Sequence, residues 1–194
     1  MQKTIVFIIL CFCIWGCKTN DPDKPQIKIE TNVGNITLEL YPKKAPATVN
    51  AFVKDVDSNY YKDGSFYRVI KNENLSPEYN RGLIQGGLYL STPEKLNTLP
   101  GTVHESPKQT GLSHTNGTIS MARTTAGSAK TEFFICIGDQ TQYDSSENVN
   151  ADGLGMAAFG KVIEGMDVAR KIQNKNSNGE KFETPIKILN ITRN

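Results

Sequence analysis

The sequence predicts a mainly β fold, a closed eight-stranded antiparallel barrel capped by two α-helices. Three observations predict it. Short runs with apolar residues at every second position recur along the chain, separated by turn residues. Only two stretches space their apolar residues near 3.6, one early and one late. Finally, 194 residues suit one domain, with or without a tail. A domain of this size buries roughly 70% of its unfolded surface, so it needs no disulfide or metal staple.

The first residues stand apart. "MQKTIVFIILCFCIWGC" has Lys3 as its only charge, then an apolar run from Ile5 to Trp15. That run is too short for a bilayer span, which needs about 20 residues, but it fits the apolar region of a secretory signal. It ends in Ile14-Trp15-Gly16-Cys17 and then turns polar, as "KTNDPDKPQ". This resembles the lipobox of bacterial lipoproteins, with residues 1–16 as signal peptide and Cys17 as the lipid attachment site. Trp15 departs from that pattern, where a small residue is usual; an ordinary signal or an uncleaved anchor stays open. The resemblance implies a location in the cell envelope, lipid-anchored to a bacterial membrane outside the cytoplasm. Residues 17–26, with two prolines and no apolar period, read as the lipidated cysteine and a flexible tether. Cys11 and Cys13 would leave with the signal, so Cys136 is the one thiol left, and no disulfide framework exists.

The domain is expected over 27–194. "QIKIET" and "NITLELY" alternate around Val33-Gly34-Asn35, which predicts a β-hairpin over 27–41. Pro46, Val49, Phe52, Val53 and Val56 predict a helix over about 46–57, with Pro46 suited to its first turn. "GSFYRVI" and "GLIQGGLYL" read as strands around a loop-like insertion at 71–81, and 91–116 reads as mostly turns. "GTISMA" and "TEFFICIG" are strands around a small, polar loop. "GMAAFGKVI" is another strand, "EGMDVARKIQ" a second helix, and "IKILNITR" a closing strand.

Several chemistries lack their residues. The 22 basic and 20 acidic residues are interspersed, without the basic block that nucleic-acid binding calls for. There are only two histidines and neither C-x-x-C nor H-E-x-x-H, so a metal site has little to build on. His104 and His114 read as loop or surface residues. "GSAKT" resembles a phosphate loop, but Ala129 stands before Lys130 where the pattern needs Gly. No G-x-S-x-G elbow is present. A site here must therefore work without metal, cofactor, nucleophile or acid–base pair.

The order "FYRVI", "LIQGG", "GTISMA", "TEFFICIG", "AAFGKVIEGMDVARKI" resembles that of the cyclophilins, peptidyl-prolyl cis–trans isomerases, over Ile27 to Arg193. The resemblance implies that proline-containing polypeptides lie in a groove on the outside of the barrel. It implies Arg68 as the catalytic residue, a fixed cation that hydrogen-bonds the prolyl nitrogen as the amide twists. Gln85 would hold the substrate carbonyl and brace the arginine; Phe134 and Leu83 would form the proline pocket. Ala122, Arg123 and Thr124 would edge the groove, leaving Ala126 to Lys130 open as a bare connection. Gly86 and Gly87 read as serving backbone geometry.

This chain departs from the family at several places. Glu132 stands where many members carry Gln, which suggests a pairing with Arg68 or Arg123 or a tuning of peptide preference. Gln142, beside Tyr143, falls where Trp is frequent, and Met156 where a groove-facing His is usual. The aromatic expected before "IQGG" is missing, with Tyr79 in the insertion as a replacement. The reading from sequence is therefore an isomerase working as a monomer on exported proteins. A proline-peptide binding chaperone or adaptor with little turnover, or a structural envelope lipoprotein, remains open as an alternative.

Overall fold

The computed structural model describes residues 21–72, 74–145 and 151–193. The expected signal over residues 1–16, the expected lipid site Cys17 and the first part of the expected tether lie outside them. Strands β1 (Gln26–Thr31) and β2 (Asn35–Leu40) form the expected hairpin, in which Ile27, Ile29, Ile36, Leu38 and Leu40 all point inward. Helix α1 (Pro46–Asp57) follows, then β3 (Ser65–Ile70) and β4 (Gly82–Gly87). Next come α2 (Pro93–Thr98), α3 (Pro107–Thr110), β5 (Thr118–Met121) and β6 (Phe133–Ile137). The chain finishes with β7 (Ala157–Glu164), α4 (Met166–Gln173), β8 (Ser177–Asn178) and β9 (Lys181–Arg193).

The strand order β1-β2-β7-β5-β6-β4-β3-β9 closes on itself because β9 also pairs with β1, every pair being antiparallel. That closure makes the eight-stranded barrel and removes the exposed edges an open sheet would carry. The two-residue β8 hangs from β9 alone. The interior is one apolar cluster in which Phe52, Phe66, Phe133 and Phe159 meet at tilted or edge-on angles.

The two longer helices stand where the periodicity places them. Their apolar faces dock on the barrel through Val49, Phe52 and Val56 in α1 and Val168, Ala169 and Ile172 in α4.

Two expectations are corrected. The 91–116 stretch holds short helices α2 and α3, each opened by a proline at its first turn. These single turns are too short to show a period. The last strand starts at Lys181 rather than Ile186, because Pro185 and the polar residues before it hide the strand's first half.

Candidate active site

Alternation along β6 sorts its side chains into two layers. Phe133, Ile135 and Ile137 enter the barrel core, whereas Phe134 and Cys136 face outward with Leu83 as a second apolar cluster. Ile70, Ala122, Tyr143 and Met156 pack on this outer cluster. Leu83, Ala122, Phe134, Tyr143 and Met156 of this layer floor a groove of about 690 Å³ on the outside of the barrel. Arg68, Leu83, Gln85, Ala122, Arg123, Thr124, Glu132, Phe134, Tyr143 and Met156 all line it. Sequence reasoning singled out each of them, and the fold brings them together.

A register shift in β3 builds the polar wall. Pairing with β4 slips between Phe66 and Arg68, so both Tyr67 and Arg68 line the groove while Phe66 and Val69 stay in the core. Strict alternation would turn one of the two neighbours away. The Arg68 guanidinium is then clamped on two sides. Its Nε donates to Glu180 Oε2 at 2.8 Å, with Nη2 in ion-pair contact 2.7 Å from the same oxygen, and Nη1 donates to Gln85 Oε1 at 2.8 Å. A guanidinium carries five N–H donors, so this clamp does not exhaust them.

The chain of hydrogen bonds continues beyond Gln85. Its Nε2 donates to the Tyr67 hydroxyl at 2.7 Å, and Tyr67 in turn donates to Glu132 Oε2 at 2.6 Å. Glu132 Oε1 accepts from the backbone N–H groups of Leu88 and Tyr89 at 2.8 and 3.1 Å, and from Thr131 Oγ1. Glu132 therefore pairs with neither Arg68 nor Arg123, correcting the sequence expectation; backbone and phenol donors satisfy it first. Burial raises the Glu132 carboxyl above its ordinary value, against the lowering effect of these donors. Burial, and then the Glu132 charge, push the Tyr67 phenol far up, so it stays a proton donor. Gly87 makes room for this arrangement. At φ +150° it has no side chain, and a Cβ there would stand 2.4 Å from Glu132 Oε1.

The loop after β5 forms the opposite edge. Ser128 braces it, taking the Thr125 N–H at 3.0 Å and donating to the Thr125 carbonyl at 2.8 Å. Arg123 borders the groove, but its guanidinium is turned away and buried. It donates to both carboxylate oxygens of Asp152, at 2.6 and 2.9 Å, and to the Gly155 carbonyl. It thus ties the loop to the segment carrying Met156, which an edge of small side chains did not foretell. Ser128 and Lys130 also line the groove, so the 126–130 stretch is more than a connection. Tyr79 is 69% exposed and stands outside the groove; Tyr67 and Tyr89, 5.5 Å apart, bring the aromatic rings instead. Gln142 bonds Gln140 and is likewise not a lining residue.

Beneath the floor lies His114, which is fully buried rather than at the surface. Its Nδ1 is 2.6 Å from Asp144 Oδ1 and its Nε2 is 2.9 Å from Ser120 Oγ. Serine, histidine and aspartate in such a relay can form a hydrolytic triad. Here Ser120 is 0% exposed inside a doubly paired strand, so no substrate carbonyl can reach it and the relay is structural. Burial lowers the His114 imidazole below its ordinary value, and the Asp144 hydrogen bond only partly offsets this. Neither Glu180 nor His114 announced itself in the sequence. Glu180 sits in a turn of polar residues, and a lone histidine shows no period.

Comparison with known proteins agrees with this geometry. Residues 26–193 match the family described as cyclophilin type peptidyl-prolyl cis-trans isomerase. A peptidyl-prolyl cis-trans isomerase of Acinetobacter baylyi is 38% identical over 149 residues, covering 76% of this chain and 71% of that protein. A peptidyl-prolyl cis-trans isomerase A of Dickeya dadantii is 38% identical over 147 residues, covering 75% and 70%. The crystal structure of a Cryptosporidium parvum cyclophilin-type isomerase superposes with a TM-score of 0.68 at 23% identity, over 88% of this chain and 98% of that one. An outward groove on a closed barrel, walled by a clamped arginine, is the form of a peptide-binding enzyme. The chain belongs to the cyclophilin-type peptidyl-prolyl cis–trans isomerases.

Proposed function

We propose that the protein catalyses cis–trans rotation about X–Pro bonds of exported polypeptides, with Arg68 as its catalytic residue. The observation that carries this is the pairing of the clamped Arg68 guanidinium with an apolar floor of Phe134, Leu83 and Met156 in one groove. The floor suits a pyrrolidine ring, which has no N–H to satisfy and gains by leaving water.

The barrier to be lowered is about 18–20 kcal/mol and comes from delocalisation of the amide nitrogen lone pair. In the twisted state that lone pair is localised on nitrogen and can accept a hydrogen bond; in either planar state it cannot. A donor held at the nitrogen therefore stabilises the twisted state over both ground states, which is what catalysis requires. Arg68 always carries its charge, and its orientation is fixed by Gln85 and Glu180 before substrate arrives, so little reorganisation is left for the reaction. No proton moves and no covalent bond forms.

The anchoring belongs to the same proposal. A signal over residues 1–16 and a lipid on Cys17 would hold the domain at a bacterial membrane, on the side where exported chains fold. Uncatalysed isomerisation there takes tens of seconds or more. Two measurements test the proposal. Exchange NMR on a short X–Pro peptide should show faster cis–trans exchange with the protein than without it, and unchanged exchange would refute the activity. Cys17→Ser should move the protein from the membrane fraction to the soluble one, and continued membrane retention would refute the lipid anchor.

A further inference from the structure

Glu132 lines the groove, yet four donors already engage its carboxylate. One oxygen is taken by the N–H groups of Leu88 and Tyr89 and the Thr131 hydroxyl, the other by the Tyr67 hydroxyl. An ionised carboxylate only accepts hydrogen bonds. The single phenolic proton of Tyr67 must therefore point at Glu132, which leaves the Tyr67 oxygen as an acceptor toward Gln85. Gln85 must then present its Nε2 to Tyr67 and its Oε1 to Arg68, as observed at 2.7 and 2.8 Å. Each group in the line dictates the orientation of the next.

We infer that Glu132 is a positioning residue that fixes the donor direction of Arg68 by setting the polarity of the Tyr67–Gln85 hydrogen bonds. The inference rests on the isomerase reading above. The contrast with an amide at the same place shows why the charge matters. In Glu132→Gln the three donors at Leu88, Tyr89 and Thr131 claim the amide oxygen, so the NH₂ group faces Tyr67. Tyr67 then accepts from residue 132 and turns its own proton to Gln85. Gln85 answers with its oxygen, and its NH₂ swings to Arg68, placing two donors face to face. The guanidinium loses one of its two clamps and with it the fixed direction toward the prolyl nitrogen.

The test compares the parent chain, Glu132→Gln, Tyr67→Phe and the double variant, all full-length, in turnover of an X–Pro tetrapeptide. Losing one charge-assisted link in such a line corresponds to roughly a tenfold effect. Glu132→Gln and Tyr67→Phe should each lower kcat about tenfold while the peptide KM changes less than twofold, because the altered polar atoms act on Arg68 through Gln85 and leave the apolar floor for the proline ring intact. Since both act through Gln85, the double variant should lose no more than either single one. A merely structural role would lower melting temperature or raise KM and would not produce this non-additivity. Parent-like kcat in Glu132→Gln, or losses that multiply to about a hundredfold in the double variant, would overturn the positioning. Should Glu132→Gln fail to fold, Tyr67→Phe decides alone, since it removes only a hydroxyl and must still lower kcat at constant KM. An inactive parent chain overturns both this inference and the isomerase reading; an active parent with an indifferent Glu132→Gln overturns this inference only.

Discussion

The imidazole of His114 lies stacked on the ring of Phe134, centroids 5.8 Å apart and planes 14° apart. The floor of the peptide groove is thus laid on a buried, neutral histidine, which Asp144 and Ser120 hold at both ring nitrogens. Replacing His114 by Ala should cost about 3 kcal/mol, from the cavity under Phe134 and the lost side-chain hydrogen bonds to Asp144 and Ser120. The pH dependence has a definite sign. The folded imidazole titrates below its ordinary value, so the unfolded chain takes up its proton first as pH falls through about 6.5. The stabilisation from neutral His114 is present above that value and declines below it. Burial would raise the Asp144 carboxyl, but the donors Ser113 and His114 outweigh this and lower it, so its share is lost only in stronger acid. Urea titrations of wild type and His114→Asn should diverge at pH 7 and converge toward pH 5. Parallel curves across that range would contradict the neutral-histidine assignment.

Asp55 acts in the opposite direction. Burial raises its carboxyl to about 6, and the charges of Lys54 and Lys95 offset this only in part. The unfolded chain therefore releases its proton first, and native stability falls as pH rises from about 4 to about 6. Asp55→Asn should remove that slope and stabilise the protein at pH 7 by about 1 kcal/mol, a figure discounted because the group is partly solvated. Chemical denaturation at pH 4.5 and 7 checks it; equal stability of the variant and wild type at pH 7 would refute it.

Helix α1 has no capping side chain of its own, since Ala45 precedes it and its first turn holds no acid. Glu105, far along the chain, supplies the cap. It accepts from the backbone N–H groups of Ala47 and Thr48 at 3.1 and 2.8 Å and from the Thr48 hydroxyl. Its negative charge also faces the positive end of the helix dipole. Glu105→Ala should destabilise the fold by about 1–2 kcal/mol, with kcat unchanged, as read by denaturant midpoint and isomerase assay. An unchanged midpoint would show that the cap contributes nothing.

Much of this architecture was legible in the sequence, and the failures share a physical cause. Alternation at Ile27, Ile29, Ile36, Leu38 and Leu40 reported the first hairpin because a strand with one buried face must alternate. The helix around Val49, Phe52 and Val56 declared itself by the matching argument. Likeness to a family supplied the groove residues, from Arg68 to Met156, which no periodicity could assign. What stayed hidden depends on irregular backbone or on distant pairing. The slip in β3 brings Tyr67 to the groove, but nothing local in "FYRVI" marks a bulge. Glu180, Glu105 and His114 acquire their roles from partners far away along the chain. Family likeness placed Arg123 at the groove edge, which it does line, but it could not show that Asp152 draws its charge inward.

The most direct measurement is the cis–trans exchange rate of an X–Pro peptide, followed by NMR with wild type and with Arg68→Ala. Removing a preorganised donor to a transition state costs on the order of a hundredfold. The account predicts that loss, with an unchanged melting temperature, because Arg68 sits on an exposed ion pair outside the core. Wild-type exchange rates in Arg68→Ala would contradict it.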